Sequence, residues 1–165
     1  MIALELGQEG RATLACLEES DVELVDGLLA RLSPRSVYRR FFSPLVRADQ
    51  FKSSLLTTDR YERDSIAALE SGEVVGLAQY SRRRGSSEAD MAIVIADAQQ
   101  QQGLGTRLVA ALADRAAGRG ITSFAVSIQG DNFVAMRLLQ RVAPGTRLTF
   151  SGGVGEAVIP LAVAR

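Results

Sequence analysis

The sequence predicts one α/β domain that spans residues 1–165. An apolar run from Met91 to Ile95 leads into a loop with two glycines and then into a helical pattern. Other strand-like and helix-like segments precede and follow this unit, with no linker, repeat or low-complexity tract between them. The chain has 165 residues, of which 47% are hydrophobic, and is therefore long enough to bury the core of one domain.

The first third of the chain is predicted to form a strand and three helices. Loose alternation of apolar and polar residues over 11–18 predicts the strand. Leucine and valine recur at helical spacing over 22–32 and predict the first helix. Ser33-Pro34 starts a second, shorter helix and Ser43-Pro44 ends it, because proline fits the first turn of a helix but not its interior. A third helical segment follows over 49–56.

The rest of the chain is predicted to contribute strands and two more helices. Turn residues between two apolar runs predict a β-hairpin, and glycines or a proline mark the helix ends. In chain order, the predicted elements are hairpin strands over 65–69 and 74–81, the strand ending at Ile95, a helix from Leu104 to Gly118, a strand over 121–128, a helix opened by Asp131 or Asn132 and ended by Pro144-Gly145, and a strand pair over 147–150 and 154–161.

Composition excludes several classes of function. The 19 basic and 19 acidic residues cancel, and a pI near 6.3 predicts no nucleic-acid or anionic-membrane partner. The first residues lack the pattern of a signal peptide, and no apolar run is long enough to span a bilayer, so we expect a cytoplasmic protein. Cys16 is the only cysteine and there is no histidine, so the sequence predicts no internal disulfide and no metal site. Any general base must be a carboxylate, a tyrosine, a lysine or water.

The loop after Ile95 predicts an anion-binding site. Backbone N–H groups of a glycine turn and the positive end of the following helix together attract phosphate groups. The loop is not a Walker loop, because Gly105 is followed by Thr106 without a lysine. It is also not a complete dinucleotide fingerprint, since Leu108 occupies the place of the third glycine. The remaining alternative is a flexible turn that merely starts a helix.

The two glycines stand at Gln-x-x-Gly-x-Gly spacing, from Gln100 to Gly105. This loop resembles the acyl-CoA loop of the GNAT superfamily of N-acetyltransferases. The predicted order of elements is similar to the GNAT fold over nearly the whole chain, most strongly over 88–142. The resemblance implies a mixed, mostly antiparallel central sheet of six to seven strands, splayed at its middle strands and flanked by helices. It also implies an acyltransferase that uses acetyl-CoA.

A segment in the first half of the chain points to one subfamily within this superfamily. Residues 32–43 read Leu-Ser-Pro-Arg-Ser-Val-Tyr-Arg-Arg-Phe-Phe-Ser and look like the Leu-Ser-Pro-x-Ser-x-Tyr-x-Arg-Phe-Phe segment of Pat-type protein lysine acetyltransferases. Enzymes of that subfamily acylate the active-site lysine of acyl-CoA synthetases. The resemblance therefore implies a protein lysine as the acceptor. Phe41 and Phe42 could also anchor a helix in the core.

The resemblance places the general base on Asp90. In the Pat-type enzymes, a glutamate in an Ala-Glu-x-Ala-x-x-Val-x-Asp run of the central strand serves as the base, and the matching run here begins at Ala89. Aspartate is one methylene shorter than glutamate, so we expect it to work through a bound water. Glu88 lies on the same strand face and is the alternative base. Both carboxylates could instead be solvated charges at a strand end.

The resemblance also assigns the residues that bind the cosubstrate. Backbone groups around Ile93 and Ile95 are expected to bind the pantetheine arm and polarise the thioester carbonyl. Asn132 is expected to bind the pantetheine and to cap the next helix. Many GNAT enzymes place a tyrosine seven residues later to protonate the thiolate, where this chain has Leu139. The complete predicted set is Ile93, Val94, Ile95, Gln100, Gln101, Gln102, Gly103, Leu104, Gly105, Thr106 and Asn132.

Two other functions stay open at the level of sequence. One is acetylation of a small amine, which would favour a cleft rich in carboxylates. The other is a non-catalytic CoA-sensing module, because Asp90 and Leu139 replace expected catalytic residue types. The sequence leaves a monomer and a homodimer equally open. Candidates for an acidic cleft are Glu18, Glu19, Asp21, Asp59, Glu62 and Asp64.

Overall fold

A computed structural model describes residues 2–3, 10–42, 48–56 and 58–162 of the chain. These residues form one mixed sheet with helices on both of its faces. The strands are β1 (Ile2–Ala3), β2 (Thr13–Cys16), β3 (Arg63–Glu70), β4 (Glu73–Arg82), β5 (Glu88–Ile95), β6 (Ser123–Gln129), β7 (Thr149–Ser151) and β8 (Val154–Pro160). The helices are α1 (Val22–Ala30), α2 (Pro34–Phe41), α3 (Ala48–Leu56), α4 (Leu104–Ala117) and α5 (Phe133–Val142).

The strand order across the sheet is β1-β2-β3-β4-β5-β6-β8-β7. Within the described residues, every neighbouring pair is antiparallel except β5 and β6, which run parallel. A parallel pair needs a long crossover connection, and the loop with α4 supplies it. The mixed, mostly antiparallel sheet predicted from the sequence is therefore confirmed. The described strands number eight rather than six to seven, because the two-residue β1 was not predicted.

The two central strands separate soon after they pair. Backbone pairing between β5 and β6 is limited to Glu88 with Ser123, Ala89 with Phe124, and Asp90 with Ala125. Beyond that point β5 stays paired only with β4, and β6 only with β8. The predicted splay of the middle strands is thus present, and it begins directly after Asp90.

Each face of the sheet carries its own apolar core. On one face, α4 packs through Leu108 and Leu112, which are fully buried with Ile66 and Phe124. On the other face, Val25 and Leu28 of α1 and Leu55 of α3 cover β3 and β4. Because side chains alternate along a strand, β5 contributes to both cores. Val94 joins the core under α1, and Ile93 packs against the core under α4.

A buried ion pair fixes α4 to β3. The Asp64 carboxylate has no exposed side-chain surface, and it accepts a hydrogen bond from Nε of Arg115 at 2.6 Å. Arg119 lies 3.6 Å from the same oxygen. Burial alone would lower the pKa of Arg115, but the hydrogen bond to Asp64 and the attraction of its negative charge together outweigh burial and raise that pKa. Asp64 therefore has a structural role and does not face a cleft.

Most predicted elements are present, with shifted ends. Ser33 caps α2 by accepting a hydrogen bond from the backbone of Ser36. The helix ends at Phe41, and Phe42 adopts a left-handed conformation with φ of 55°. The predicted stop at Ser43-Pro44 lies outside the described residues. No helix among the described residues is long and apolar enough to cross a membrane.

Candidate active site

The gap between β5 and β6 opens into three neighbouring cavities. The large cavity, of about 450 Å³, lies between β5, β6, α2 and α5. The loop cavity, of about 170 Å³, lies between α5 and the loop that precedes α4. A middle cavity shares Ile93 and Asn132 with the large cavity, and Ile95 and Gln100 with the loop cavity. The three cavities therefore form one continuous cleft along the open edge of β5.

The backbone of β5 presents free hydrogen-bonding groups to this cleft. The N–H of Ala96 donates to the carbonyl of Val75 at 2.8 Å, on the β4 side. Successive residues of a strand point their N–H groups to opposite edges, so the N–H groups of Ile93 and Ile95 point to the open edge. The Ile95 carbonyl also faces this edge, where it accepts a hydrogen bond from Gln100 at 3.0 Å. These groups can bind the amides of an extended ligand.

The two loop glycines are required for different reasons. Gly103 has φ of 81°, which residues with a side chain rarely adopt, and a Cβ atom there would meet no protein atom within 4 Å. Gly105 lies in the first turn of α4, where a Cβ atom would stand 3.0 Å from Leu138 and 3.3 Å from Ile95. Gly103 therefore shapes the loop, and Gly105 lets α4 pack closely against α5 and β5.

The loop cavity has the properties of an anion site. The first backbone N–H groups of α4, at Leu104, Gly105 and Thr106, have no partner within the helix, as at any helix N-terminus. The hydroxyl of Thr106 is buried and has no hydrogen-bond partner in the described structure. Arg137 and Arg141, one turn apart on α5, line the same cavity. An orphaned hydroxyl, free N–H groups and two cations together fit a phosphate-bearing ligand.

Three glutamines and one leucine that were predicted to bind the cosubstrate differ in where their side chains lie. Gln100 and Gln101 line the loop cavity, and Gln101 also accepts a hydrogen bond of 3.5 Å from Arg137. The side chain of Gln102 instead turns back to the carbonyl of Ala98 at 3.0 Å. Leu104 is buried in the core. The side chains of Gln102 and Leu104 therefore lie outside the cavity, and only their backbone belongs to the loop.

The sequence matches the model of the acetyltransferase (GNAT) family over residues 33–143, which is more than half of the chain. The chain belongs to this family. Membership makes it an acyltransferase with acetyl-CoA as its cosubstrate, acting on an amine. No curated protein sequence matches the chain.

Solved structures of GNAT proteins share the fold. The GNAT domain of S. lividans PAT superposes with a TM-score of 0.84 at 24% identity, covering 96% of both chains. A phosphinothricin acetyltransferase from Sinorhizobium meliloti, solved with AcCoA, has a TM-score of 0.73 at 18% identity over 92% of this chain and 89% of that one. A spermidine N-acetyltransferase from Vibrio cholerae, solved with CoA and spermine, has a TM-score of 0.70 at 16% identity over 94% and 98%. At sequence identities of 24% or less, these similarities show a shared fold and nothing more.

Asn132, which caps α5, and Leu139 of α5 both line the cleft. Asn132 caps the helix by accepting a hydrogen bond of 3.2 Å from the N–H of Ala135, and it also lines the large and middle cavities. Leu139, in place of the tyrosine of many GNAT enzymes, is buried in the wall of the large cavity. No tyrosine lines any of the three cavities in the described structure.

The two predicted base candidates lie side by side and share one arginine. Nε and Nη2 of Arg83 donate to Oδ1 of Asp90 at 3.0 and 2.7 Å, and Nη1 donates to Glu88. These contacts agree with the predicted placement of both carboxylates on one strand face. The hydrogen bond to Asp90 raises the pKa of Arg83. Only Asp90 lines the large cavity.

Two arginines of α2 line the cleft, although the sequence patterns assigned them no role. Arg39 spans the cleft mouth, where its Nη2 donates to the backbone carbonyl of Asp131 at 2.7 Å. Arg40 lines both the large and middle cavities. The signal for a role was available, since both arginines lie within the segment that resembles the Pat-type enzymes. Arg137 and Arg141 were missed as well, and their spacing of four residues on α5 was the available signal.

The acidic residues proposed for a small-amine cleft lie elsewhere. Asp90 is the only carboxylate that lines the three cavities in the described structure. Asp64 pairs with Arg115, Glu62 pairs with Arg82, and Asp59 binds backbone N–H groups of its own loop. Among the described residues no group of acidic or cysteine side chains is arranged to hold a metal ion.

Proposed function

We propose that this GNAT enzyme transfers an acetyl group from acetyl-CoA to a lysine side chain of a protein. One observation carries the proposal. The segment that resembles the Pat-type lysine acetyltransferases forms α2, and its residues Arg39, Arg40, Phe41 and Phe42 line the large cavity. The residues that carry the resemblance to the Pat-type enzymes therefore lie in the wall of the large cavity that would contact the acceptor. The similarity to the GNAT domain of S. lividans PAT is consistent with this assignment.

The chain binds its cosubstrate along the cleft. The loop cavity holds the pyrophosphate on the backbone of 103–106, with the Thr106 hydroxyl and the guanidinium groups of Arg137 and Arg141. The open edge of β5 at Ile93 and Ile95 binds the pantetheine amides, and Asn132 lies opposite. Acetyl-CoA then supplies an acyl group activated as a thioester, at the junction of the middle and large cavities.

Asp90 receives the proton of the acceptor. A lysine with an ordinary pKa of about 10.4 is mostly an ammonium ion at neutral pH and must lose a proton before it can attack. The neutral amine attacks the thioester carbonyl, the C–N bond forms and the C–S bond breaks. The proton that the ammonium ion loses before the attack passes to Asp90, directly or through water, and then to solvent, and the nitrogen loses a second proton to solvent as the amide forms. The departing thiolate takes a proton from solvent, because Leu139 cannot donate one.

The charge of the cleft supports a single acceptor amine over a polyamine. A spermidine-like acceptor carries several ammonium groups, and each would require an acidic partner. Asp90 alone supplies an acidic side chain to the cavities among the described residues, while Arg39 and Arg40 add positive charge. A lone lysine needs only one carboxylate. The rest of the large cavity is mostly apolar, which suits the four-carbon stem of lysine.

Labelling of proteins with radioactive acetyl-CoA tests the proposal. The protein is incubated with a cell lysate, and labelled proteins are identified by mass spectrometry. We expect one or a few acetylated proteins, with an acyl-CoA synthetase modified on its active-site lysine among them. The Asp90→Ala variant serves as the control for background acetylation. Labelling confined to small amines would contradict a protein acceptor.

A further inference from the structure

Arg40 is a partly buried cation without a counter-ion among the described residues. Its Nε atom is fully buried and has no hydrogen-bond partner, and no described carboxylate lies within ion-pair distance. The guanidinium instead lies against two aromatic rings, 4.9 Å from the centroid of Phe41 and 5.4 Å from that of Phe51. Burial lowers the pKa of Arg40 to about 10. At neutral pH the group is still charged.

Such an arrangement is costly in the free protein. Taking a charge out of water is unfavourable unless it is paired, and cation–π contacts offset only part of the cost. The neighbouring Arg39 also has a buried Nε without a partner, but its Nη2 donates to the backbone carbonyl of Asp131. Arg40 reaches no such acceptor in the described structure. Instead, it lines the cleft at the junction of the large and middle cavities, beside Ile93 and Asn132.

We propose that Arg40 binds a carboxylate of the substrate in the large cavity. This inference rests on the proposed acyl transfer in the same cleft. It adds that either the transferred acyl group or the acceptor amine carries a carboxylate. A guanidinium presents paired N–H donors that match the two oxygens of a carboxylate. The binding of an anion there would neutralise this partly buried charge. The large cavity, at about 450 Å³, also offers far more room than a two-carbon acyl group fills.

The carboxylate has two possible sources. It can be the end of a dicarboxylic acyl group, such as succinyl, carried by CoA. It can also be the α-carboxylate of an acceptor amine. In both cases the C–N bond forms and the C–S bond breaks as for acetyl transfer, and the carboxylate stays unchanged. Only the first source is compatible with a lysine inside a protein chain as the acceptor.

Matched ligands and variants separate these sources. In one arm, calorimetry measures the affinities of succinyl-CoA and butyryl-CoA, which have equal chain length and differ in the terminal carboxylate. In the other arm, free CoA release measures acetyl-CoA turnover with lysine and with lysine amide. Both arms compare the wild type with Arg40→Met. Arg35→Met is the control, because Arg35 lies on the same helix, 70% exposed and outside the cavities.

In at least one arm, we expect the wild type to prefer the carboxylate ligand by about 10- to 100-fold. This preference should vanish in Arg40→Met and persist in Arg35→Met. Arg40→Met should unfold at the same or a higher denaturant concentration, because a partly buried charge without a counter-ion is removed. The proposal is wrong if neither arm shows a preference, or if the preference survives in Arg40→Met.

The first arm needs no acceptor, so its result is independent of the lysine proposal. A preference confined to the second arm would reject a protein acceptor and retain the role of Arg40.

Discussion

Arg83 holds Asp90 by two hydrogen bonds to a single carboxylate oxygen, Oδ1, at 3.0 and 2.7 Å. Both side chains are about half exposed, at 49% and 61%. Ion pairs this exposed contribute little to stability, typically about 0 to 1 kcal/mol, because water competes for both charges. The pair can therefore open at small cost when an ammonium group approaches Asp90. Arg83 orients the carboxylate at the point where β5 and β6 separate.

Replacing Asp90 with alanine tests its role in proton transfer. General-base catalysis typically contributes about 10²- to 10⁴-fold, so turnover should fall by a factor in this range. Acetyl-CoA affinity should stay nearly unchanged, since backbone groups and the loop cavity bind the cosubstrate. Steady-state kinetics and calorimetry measure the two quantities. Asp90→Glu, which keeps the carboxylate, should retain much of the activity.

Glu88→Ala is the matched control, because Glu88 shares Arg83 with Asp90 but does not line the large cavity. Its turnover should stay close to that of the wild type. A large loss in Glu88→Ala with normal turnover in Asp90→Ala would assign the base to Glu88. Normal turnover in both variants would leave proton transfer to water alone.

Gly103 can be tested against a glycine with the same backbone conformation. Gly103 and Gly145 both have φ of 81°, and a Cβ atom at either position would meet no protein atom within 4 Å, but only Gly103 lines the loop cavity. Valine at either position adds comparable backbone strain, of order 1–3 kcal/mol. Both variants should therefore lose similar stability in urea unfolding. Only Gly103→Val should weaken acetyl-CoA binding, by at least about tenfold. Equal affinities in the two folded variants would refute the placement of the pyrophosphate.

The fold was largely predictable because its signals are local. Helix starts and stops, such as Ser33-Pro34 for α2 and Gly118 for α4, lie next to the residues that they affect. The splay after Asp90 was predicted only through the family resemblance, since nothing in the composition of β5 shows where its partner strand leaves it. The two-residue β1 was missed because a strand this short carries no periodicity.

The site was predictable where the backbone forms it and not where distant side chains meet. The glycine loop and the edge of β5 are encoded in consecutive residues. By contrast, Arg83 reaches Asp90 across a turn, and Arg137 lines the loop cavity from α5. The missing counter-ion of Arg40 depends on the packing of α2 against the cleft, which one sequence does not reveal. Such relationships need the tertiary structure.

Thr106→Val tests the orphaned hydroxyl of the loop cavity. Valine has nearly the shape of threonine, and the hydroxyl has no partner in the described part of the free protein. The free energy of unfolding should therefore stay equal or rise slightly, because a buried polar group is removed. Acetyl-CoA should bind about 10- to 100-fold more weakly, since hydrogen bonds to charged groups contribute about 1.5–3 kcal/mol. Calorimetry and urea unfolding give the two values. Loss of stability with unchanged affinity would assign the hydroxyl a structural role instead.

Asp97 should make the protein less stable in acid. Burial would raise the pKa of Asp97. Hydrogen bonds from Ser33 and Ser36, at the start of α2, together outweigh burial and lower this pKa. The Ser33 N–H donates to Oδ1 at 3.3 Å. A carboxyl whose pKa is lower in the folded state stabilises that state above its unfolded pKa of about 3.9. The stabilisation is then lost as the pH falls through the lower, folded value.

The Asp97→Asn variant isolates this contribution. Urea unfolding of the wild type and the variant should differ by a constant amount between about pH 5 and 7, below about 1 kcal/mol because Asp97 is exposed. The difference should shrink steadily below about pH 4, when protonation turns the wild-type side chain into a neutral group like asparagine. Asp97 ties the start of α2 to the end of β5, so α2 should loosen in acid. A difference that stays constant down to pH 2 would show that the charge of Asp97 does not hold α2 in place.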